Sequence, residues 1–135
     1  MKKTVVEKIK KNLLAKGWLI EKIKKMDFWA SHGDAPAFCV VQAGCALIFF
    51  CDLPLNDKWK RDKARFFAML NSINHSLSHG VRVIKLIDDP ANVLHVSAVW
   101  YNYYDKKEFD QFFGQFLSSV VALYTHDGVL KNLKK

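Results

Sequence analysis

Two histidines spaced four residues apart are the first side chains in this sequence whose pattern could support chemistry. His75 and His79 fall near the end of a predicted helix, where an i, i+4 pair can bind a zinc ion. The glutamate that completes the metalloprotease motif HExxH is absent, because Ser76 follows the first histidine. His79 also stands at the helix end, directly before Gly80. We therefore predict two surface histidines and no bound metal.

The three cysteines, Cys39, Cys45 and Cys51, follow one another at intervals of six residues, and His32 precedes them. Zinc sites of the finger type use closer cysteine pairs, with about two to four residues between them. Because the count is odd and the neighbours are apolar, the pattern indicates reduced cysteines that pack as small hydrophobic side chains. Free thiols of this kind are typical of a cytoplasmic protein.

Motifs of the common catalytic classes are absent from the sequence. Hydrolases of the α/β type mark their serine with Gly-x-Ser-x-Gly between a strand and a helix, and this chain has no such motif. Phosphate-binding loops cluster their glycines, whereas the six glycines here are isolated from one another. We therefore expect a protein that is not an enzyme and that binds no cofactor.

Positive charge is concentrated at the N-terminus. The chain carries a formal net charge of +8, and residues 1–25 contain nine lysines and two glutamates. Such a segment can bind nucleic acid or an anionic surface, and it can equally be a solvated lysine face. The alternative anion-binding residues are Lys8, Lys10, Lys11, Lys22, Lys24 and Lys25.

These residues must be positioned by one small domain, residues 1–135, since the length is that of a single domain. No run of about 18 apolar residues predicts a membrane-spanning helix, and no secretory signal is recognisable. Thr4 and Glu7 form a predicted capping box for a first helix that ends near Gly17. Residues 18–31 are predicted to be extended, with a turn near Lys24-Lys25 or a bulge.

A hairpin and two further helices follow. Residues 38–41 and 46–50 are predicted strands, and a second helix runs from Asn56 or Asp57 to Gly80. Two more strands, 81–88 and 93–102, precede a third helix whose predicted capping box is Asp105 with Glu108. The order is α-β-β-β-α-β-β-α, which predicts an α+β fold with a single antiparallel sheet and helices on one face.

Both strands of the first hairpin are apolar at consecutive positions, which predicts that both of their faces are covered. Helices cover one face, and a second subunit, a bound partner or another part of the chain must cover the other. The predicted partner or dimer surface comprises Phe38, Val40, Leu47, Phe49, Trp100 and Tyr101. The alternate set on the opposite face comprises Cys39, Val41, Ile48 and Phe50, and the sequence leaves open which set faces outward.

Asn74 interrupts the apolar stripe of the second helix between Leu70 and Leu77. A buried amide without partners costs about 1–3 kcal/mol. We therefore predict that Asn74 hydrogen-bonds to the backbone at a strand end and has a structural role, fixing the helix against the sheet.

The segment Leu70–Leu77 with Asn74, followed by Gly80 and the strand 81–84, resembles the YbjN family, whose fold is that of type III secretion chaperones. The Asp88-Asp89 turn and the phenylalanine-rich last helix fit the same pattern, and the resemblance covers roughly residues 4–125. It implies a homodimer with a protein- or peptide-binding surface on the sheet. The expected function is therefore that of a cytoplasmic, chaperone-like binding module, and the alternative is binding of nucleic acid or an anionic surface through the lysines.

Overall fold

The computed structural model describes residues 4–24, 27–77, 80–86, 89–101 and 103–134. Within these residues, no helix has the length and apolar character that crossing a membrane requires. The helices are α1 (Val5–Ala15), a 3₁₀ helix (Lys58–Asp62), α2 (Lys63–Ser76), α3 (Lys106–Thr125) and α4 (Asp127–Leu130). The strands are β1 (Leu19–Lys22), β2 (Phe28–His32), β3 (Ala35–Ala43), β4 (Ala46–Pro54), β5 (Val81–Ile84) and β6 (Val93–Tyr101).

The capping residues begin the helices as their chemistry requires. The Glu7 amide donates to the Thr4 hydroxyl at 3.1 Å and the Thr4 amide donates to the Glu7 carboxylate at 3.3 Å, so the predicted capping box is present. Asp105 accepts from the amide of Glu108 at 2.9 Å, as predicted. The second half of that capping box is missing, because the Glu108 carboxylate accepts from the Tyr103 hydroxyl at 2.7 Å instead.

Three segments differ in detail from the predicted elements. The strand predicted over 81–88 is shorter, since β5 ends at Ile84. The extended stretch 18–31 forms the two strands β1 and β2, and the Ile23 amide donates to the Asp27 carbonyl at 2.9 Å across the turn between them. The turn expected near Lys24 is therefore confirmed. The second helix begins with the 3₁₀ helix, and α2 proper is capped by Asp62, whose carboxylate accepts from the Arg65 amide.

All six strands form one antiparallel sheet in the order β1-β2-β3-β4-β6-β5. This confirms the α+β class and the predicted order of elements, with the first extended segment divided into two strands. The longest pairing joins β4 to β6 over residues 46–54 and 93–101. It joins the fourth and fifth strands of the sheet and carries Phe49, Phe50 and Val99, on which the site below depends.

One hydrophobic core lies between the sheet and the helices. Alternate residues of the strands point into it, as period-2 geometry requires. Aromatic rings fill its centre, with Phe38 and Phe49 5.8 Å apart and Phe113 and Phe116 of α3 packed against Phe38. The helices therefore cover one face of the sheet, as predicted.

Candidate partner-binding face of the sheet

The predicted surface set is wrong in five of its six residues, because these five point into the core. Phe38, Val40, Leu47 and Phe49 are at most 1% exposed, and Trp100 is 7% exposed. The physical reason is the alternation of side chains along each strand, which turns this set toward the aromatic rings of α3. Tyr101 has the opposite parity and is 67% exposed.

The opposite face of the sheet carries the alternate set. Register places Cys39 beside Phe50 and Val41 beside Ile48, and Val99 of β6 lies beside Ile48 on the other side. Among the described residues these are joined on the same face by Trp29, Ala43, Ala46 and Tyr101. We call this group the open face. Trp29, Val99 and Tyr101 are exposed, and Val41, Ile48 and Phe50 are half-buried.

A thiol lies beneath the aromatic rings of the open face. Trp29 and Phe50 flank Cys39 on the neighbouring strands, and their ring centroids are 6.4 Å apart in an edge-to-face arrangement. Cys39 is only 2% exposed, and burial raises the pKa of its thiol to about 11, with Asp27 and Asp52 adding to the effect. Since the thiolate is the nucleophile, burial and the raised pKa disfavour reaction of Cys39 at neutral pH, and its side chain acts in packing.

Polar groups mark one end of the open face. His95 lies between two carboxylates, with Nδ1 2.5 Å from Asp52 and Nε2 3.1 Å from Asp89. The pKa of Asp89 is lowered, first by the backbone amide of Ala91 and then by its hydrogen bond with His95. Because both ring nitrogens of His95 face protein carboxylates, neither is directed at a substrate. The sequence contained no sign of this cluster, since only the β4–β6 register brings Asp52 opposite His95.

Those residues of the predicted metal-ligand sets that the structure describes do not lie together in one cluster. His75 is exposed in the last turn of α2, and His79 lies outside the described residues. Cys51 points into the core, away from Cys39, while Cys45 is exposed in the turn between β3 and β4. Throughout the described part of the chain, no group of three histidine, cysteine or acidic side chains is arranged to hold a metal ion.

The lysines predicted to form an anion-binding surface lie in different parts of the structure. Lys8 and Lys11 line a cavity beside α3, and the Lys10 ammonium lies 5.3 Å from the ring centre of Phe28. Lys22 ends β1 and Lys24 lies in the following turn, while the predicted residue Lys25 falls outside the described residues. The N-terminal positive charge is thus spread over several surfaces, and its use in binding stays a prediction.

Asn74 makes the hydrogen bonds predicted for it. Its amide nitrogen donates to the carbonyl of Val83 at 2.8 Å, and the amide of Val83 donates to its side-chain oxygen at 2.8 Å. The partner is the backbone of the edge strand β5, so the side chain links α2 to the sheet.

The arrangement of elements is similar to that of two solved structures. One is YbjN of E. coli, described as a candidate transcription regulator, with a TM-score of 0.74 at 16% identity over 98% of this chain and 100% of that one. The chain has a YbjN-like fold. The other, an uncharacterised protein of Methanothermobacter thermautotrophicus, gives a TM-score of 0.64 at 12% identity over 87% of this chain and 92% of that one.

The sequence comparisons add nothing to the YbjN-like fold, since no family model matches the chain and no curated protein matches it. At identities this low, the shared feature is the fold alone. The function therefore has to be argued from the open face and the cavities of this chain.

Proposed function

We propose that the protein is a non-enzymatic binding module that pairs with a second copy of itself through the open face. One observation carries the proposal: the helices cover one side of the six-stranded sheet, and apolar side chains continue across the other. Monomeric proteins rarely expose contiguous apolar patches larger than roughly a few hundred Å², and larger patches mark interaction sites.

The composition of the open face supports an interface. Its central side chains, from Trp29 through Phe50 to Val99 and Tyr101, include no charged group. Polar residues lie at one end of the strands, where Asp52 contacts His95, and Glu21 and Arg82 lie at the two edges of the sheet. An apolar centre with a polar rim is the usual anatomy of a protein–protein interface.

Charge at the two edges of the sheet favours a second copy as the occupant. One row of paired residues runs across all six strands and comprises, in order, Glu21, Trp29, Cys39, Phe50, Ser97 and Arg82. Glu21 and Arg82, at opposite ends of this row, are both exposed. A two-fold axis parallel to the strands, between two stacked sheets, brings Glu21 of each copy over Arg82 of the other. The row is therefore complementary to itself, as a two-fold interface requires.

The first test is the solution mass by light scattering at low and high salt. We expect a mass near twice 15.6 kDa at both salt concentrations, because apolar contacts form the centre of the interface and are not screened by ions. Val99→Lys should raise the dissociation constant of the dimer at least ~10-fold, which corresponds to about 1.4 kcal/mol. Val121→Lys is the matched control, since Val121 is 52% exposed on α3 and Val99 is 49% exposed on the open face. A monomeric wild type, or equal effects of the two variants, contradicts the proposal.

A charge exchange tests the geometry of pairing separately. Glu21→Arg and Arg82→Glu each place like charges over one another and should weaken the dimer. The double variant restores opposite charges and should recover most of the wild-type dissociation constant. If the double variant is weaker than either single variant, the two-fold axis does not run parallel to the strands.

A further inference from the structure

A second site lies on the far side of the molecule from the open face, between α1 and the start of α3. It is a cavity of about 560 Å³, within the usual range of small-molecule pockets of roughly 300–1,000 Å³. Positions 8, 11, 12, 15 and 16 of one helical face form one wall. Tyr104, Lys106 and Asp110 form the other wall.

A network of hydrogen bonds holds the two walls together. The Asn12 amide donates to the Tyr104 hydroxyl at 3.0 Å and to Asp110 at 2.9 Å. The Lys16 ammonium donates to Asp110 at 2.6 Å, and the Lys106 ammonium donates to its second oxygen at 3.0 Å. Asn12 is 7% exposed, so this network is built into the fold and is not a chance surface contact.

The side chains that line the cavity have more unused hydrogen-bond donors than unused acceptors. Asp110 already accepts three hydrogen bonds, which lower the pKa of its carboxyl well below the usual range, chiefly through Lys16. Each ammonium has three donors, and the Tyr104 hydroxyl, which accepts from Asn12, keeps its own proton to donate. Lys8 and Lys11 form no ion pair within the described residues, and both line the cavity. Four lysines thus line a cavity whose lining contains a single carboxylate.

We propose that this cavity binds a small organic phosphate. Phosphate oxygens accept from several ammonium donors at once, and their charge matches the excess of lysine. The cavity is far larger than one phosphate group, and the methyl of Ala15 and the half-buried ring of Tyr104 offer apolar surface to an attached organic group. Neither the fold comparison nor the open face contributes to this site.

The test is a titration of the ¹⁵N-labelled full chain with AMP and, separately, with inorganic phosphate, followed by amide shifts. AMP should give saturable shifts in α1 and at the start of α3, and it should bind at least ~10-fold more tightly than inorganic phosphate. The double variant Lys8→Gln/Lys11→Gln should weaken AMP binding at least ~10-fold. Both lysines are exposed and form no ion pair among the described residues, so the variant should keep its fold.

The matched control is Lys22→Gln/Lys24→Gln, which removes the same charge from the same lysine-rich segment but does not touch the cavity. Its AMP affinity should change less than ~2-fold. Equal losses in the two variants would show diffuse attraction to positive charge and overturn the proposal. Absence of saturable shifts would also overturn it, and equal affinity for AMP and inorganic phosphate would overturn the assignment of an organic ligand.

Discussion

The side chain of Asn74 forms two hydrogen bonds of 2.8 Å with the backbone of Val83, one as donor and one as acceptor. Val83 lies on β5, an edge strand whose only neighbour in the sheet is β6. Its N–H and C=O groups therefore point to the edge, where another strand would otherwise bind them. The amide side chain takes the place of that strand, which both joins α2 to the sheet and blocks the edge against pairing with another chain.

Asn74→Ala should lower the free energy of unfolding by about 1–3 kcal/mol, because two backbone groups lose their partner. The matched control is Asn71→Ala on the same helix, where the side chain is exposed; its effect should be within about 0.5 kcal/mol. Urea unfolding followed by tryptophan fluorescence measures both. Equal midpoints for the two variants would mean that the Asn74 hydrogen bonds contribute nothing to stability.

The features that could be predicted from sequence are those set by residues close together in the chain. The Thr4–Glu7 capping box, the cap at Asp105 and the hydrogen bonds of the half-buried Asn74 side chain all follow from local spacing. The order of helices and strands follows from the same local signals. These signals predicted the α+β class and the order of elements, except that the first extended segment is divided into two strands.

The outward face of the sheet could not be predicted, because the strand residues are apolar on both sides. Phe49 is fully buried and Phe50 is half-buried, although the two are adjacent and chemically identical. Only the packing of α3 distinguishes them. The cavity between α1 and α3 could not be predicted from the sequence either, because Asn12 and Asp110, which join its two walls, are 98 positions apart. The concentration of positive charge at the N-terminus pointed to Lys8 and Lys11 as anion-binding residues. It did not identify Lys16, Lys106 or Tyr104, which also line the cavity.

The two phenylalanines provide a test of this assignment within one strand. Phe49→Ala should lower the free energy of unfolding by about 3–5 kcal/mol, the usual cost of a large cavity in a core. Phe50→Ala removes a side chain that is already half-exposed, so the protomer should lose roughly 1 kcal/mol. Urea unfolding is measured at low protein concentration, where a dimer dissociates, so that the loss of protomer stability is separated from any loss of association. If Phe50→Ala lowered the free energy of unfolding more than Phe49→Ala, Phe50 would be the residue that faces the core and the assignment of the two faces would be wrong.

The three cysteines should differ in their reactivity toward a thiol reagent. Cys45 is exposed in the β3–β4 turn, whereas burial raises the pKa values of the Cys39 and Cys51 thiols to about 11. In native protein at pH 7.5 to 8, about one thiol should therefore react quickly, and all three should react after unfolding. Mass spectrometry of the labelled peptides identifies the fast site.

Removal of the Trp29 ring by Trp29→Ala should increase the rate of labelling of Cys39 and leave that of Cys51 unchanged, because only Cys39 lies beneath that ring. Fast labelling of Cys39 in the wild type would contradict its position under the open face.

Acid should destabilise the protein through Asp110. Hydrogen bonds from Lys16, Asn12 and Lys106 hold the pKa of this carboxyl below that of an unfolded chain, about 3.9. A lowered folded-state pKa contributes stability that is fully present above the unfolded value and is lost as pH falls toward the folded one. Between about pH 5 and pH 2, the free energy of unfolding should therefore fall more steeply in the wild type than in Asp110→Asn. The asparagine of the variant has nearly the same shape as the aspartate but does not titrate, so residue 110 no longer contributes to the dependence of stability on pH. Asp34→Asn serves as the control, because Asp34 is exposed and forms no ion pair among the described residues. Its slope should match the wild type, and a wild-type slope in Asp110→Asn would show that the network around Asn12 does not depend on the charge of Asp110.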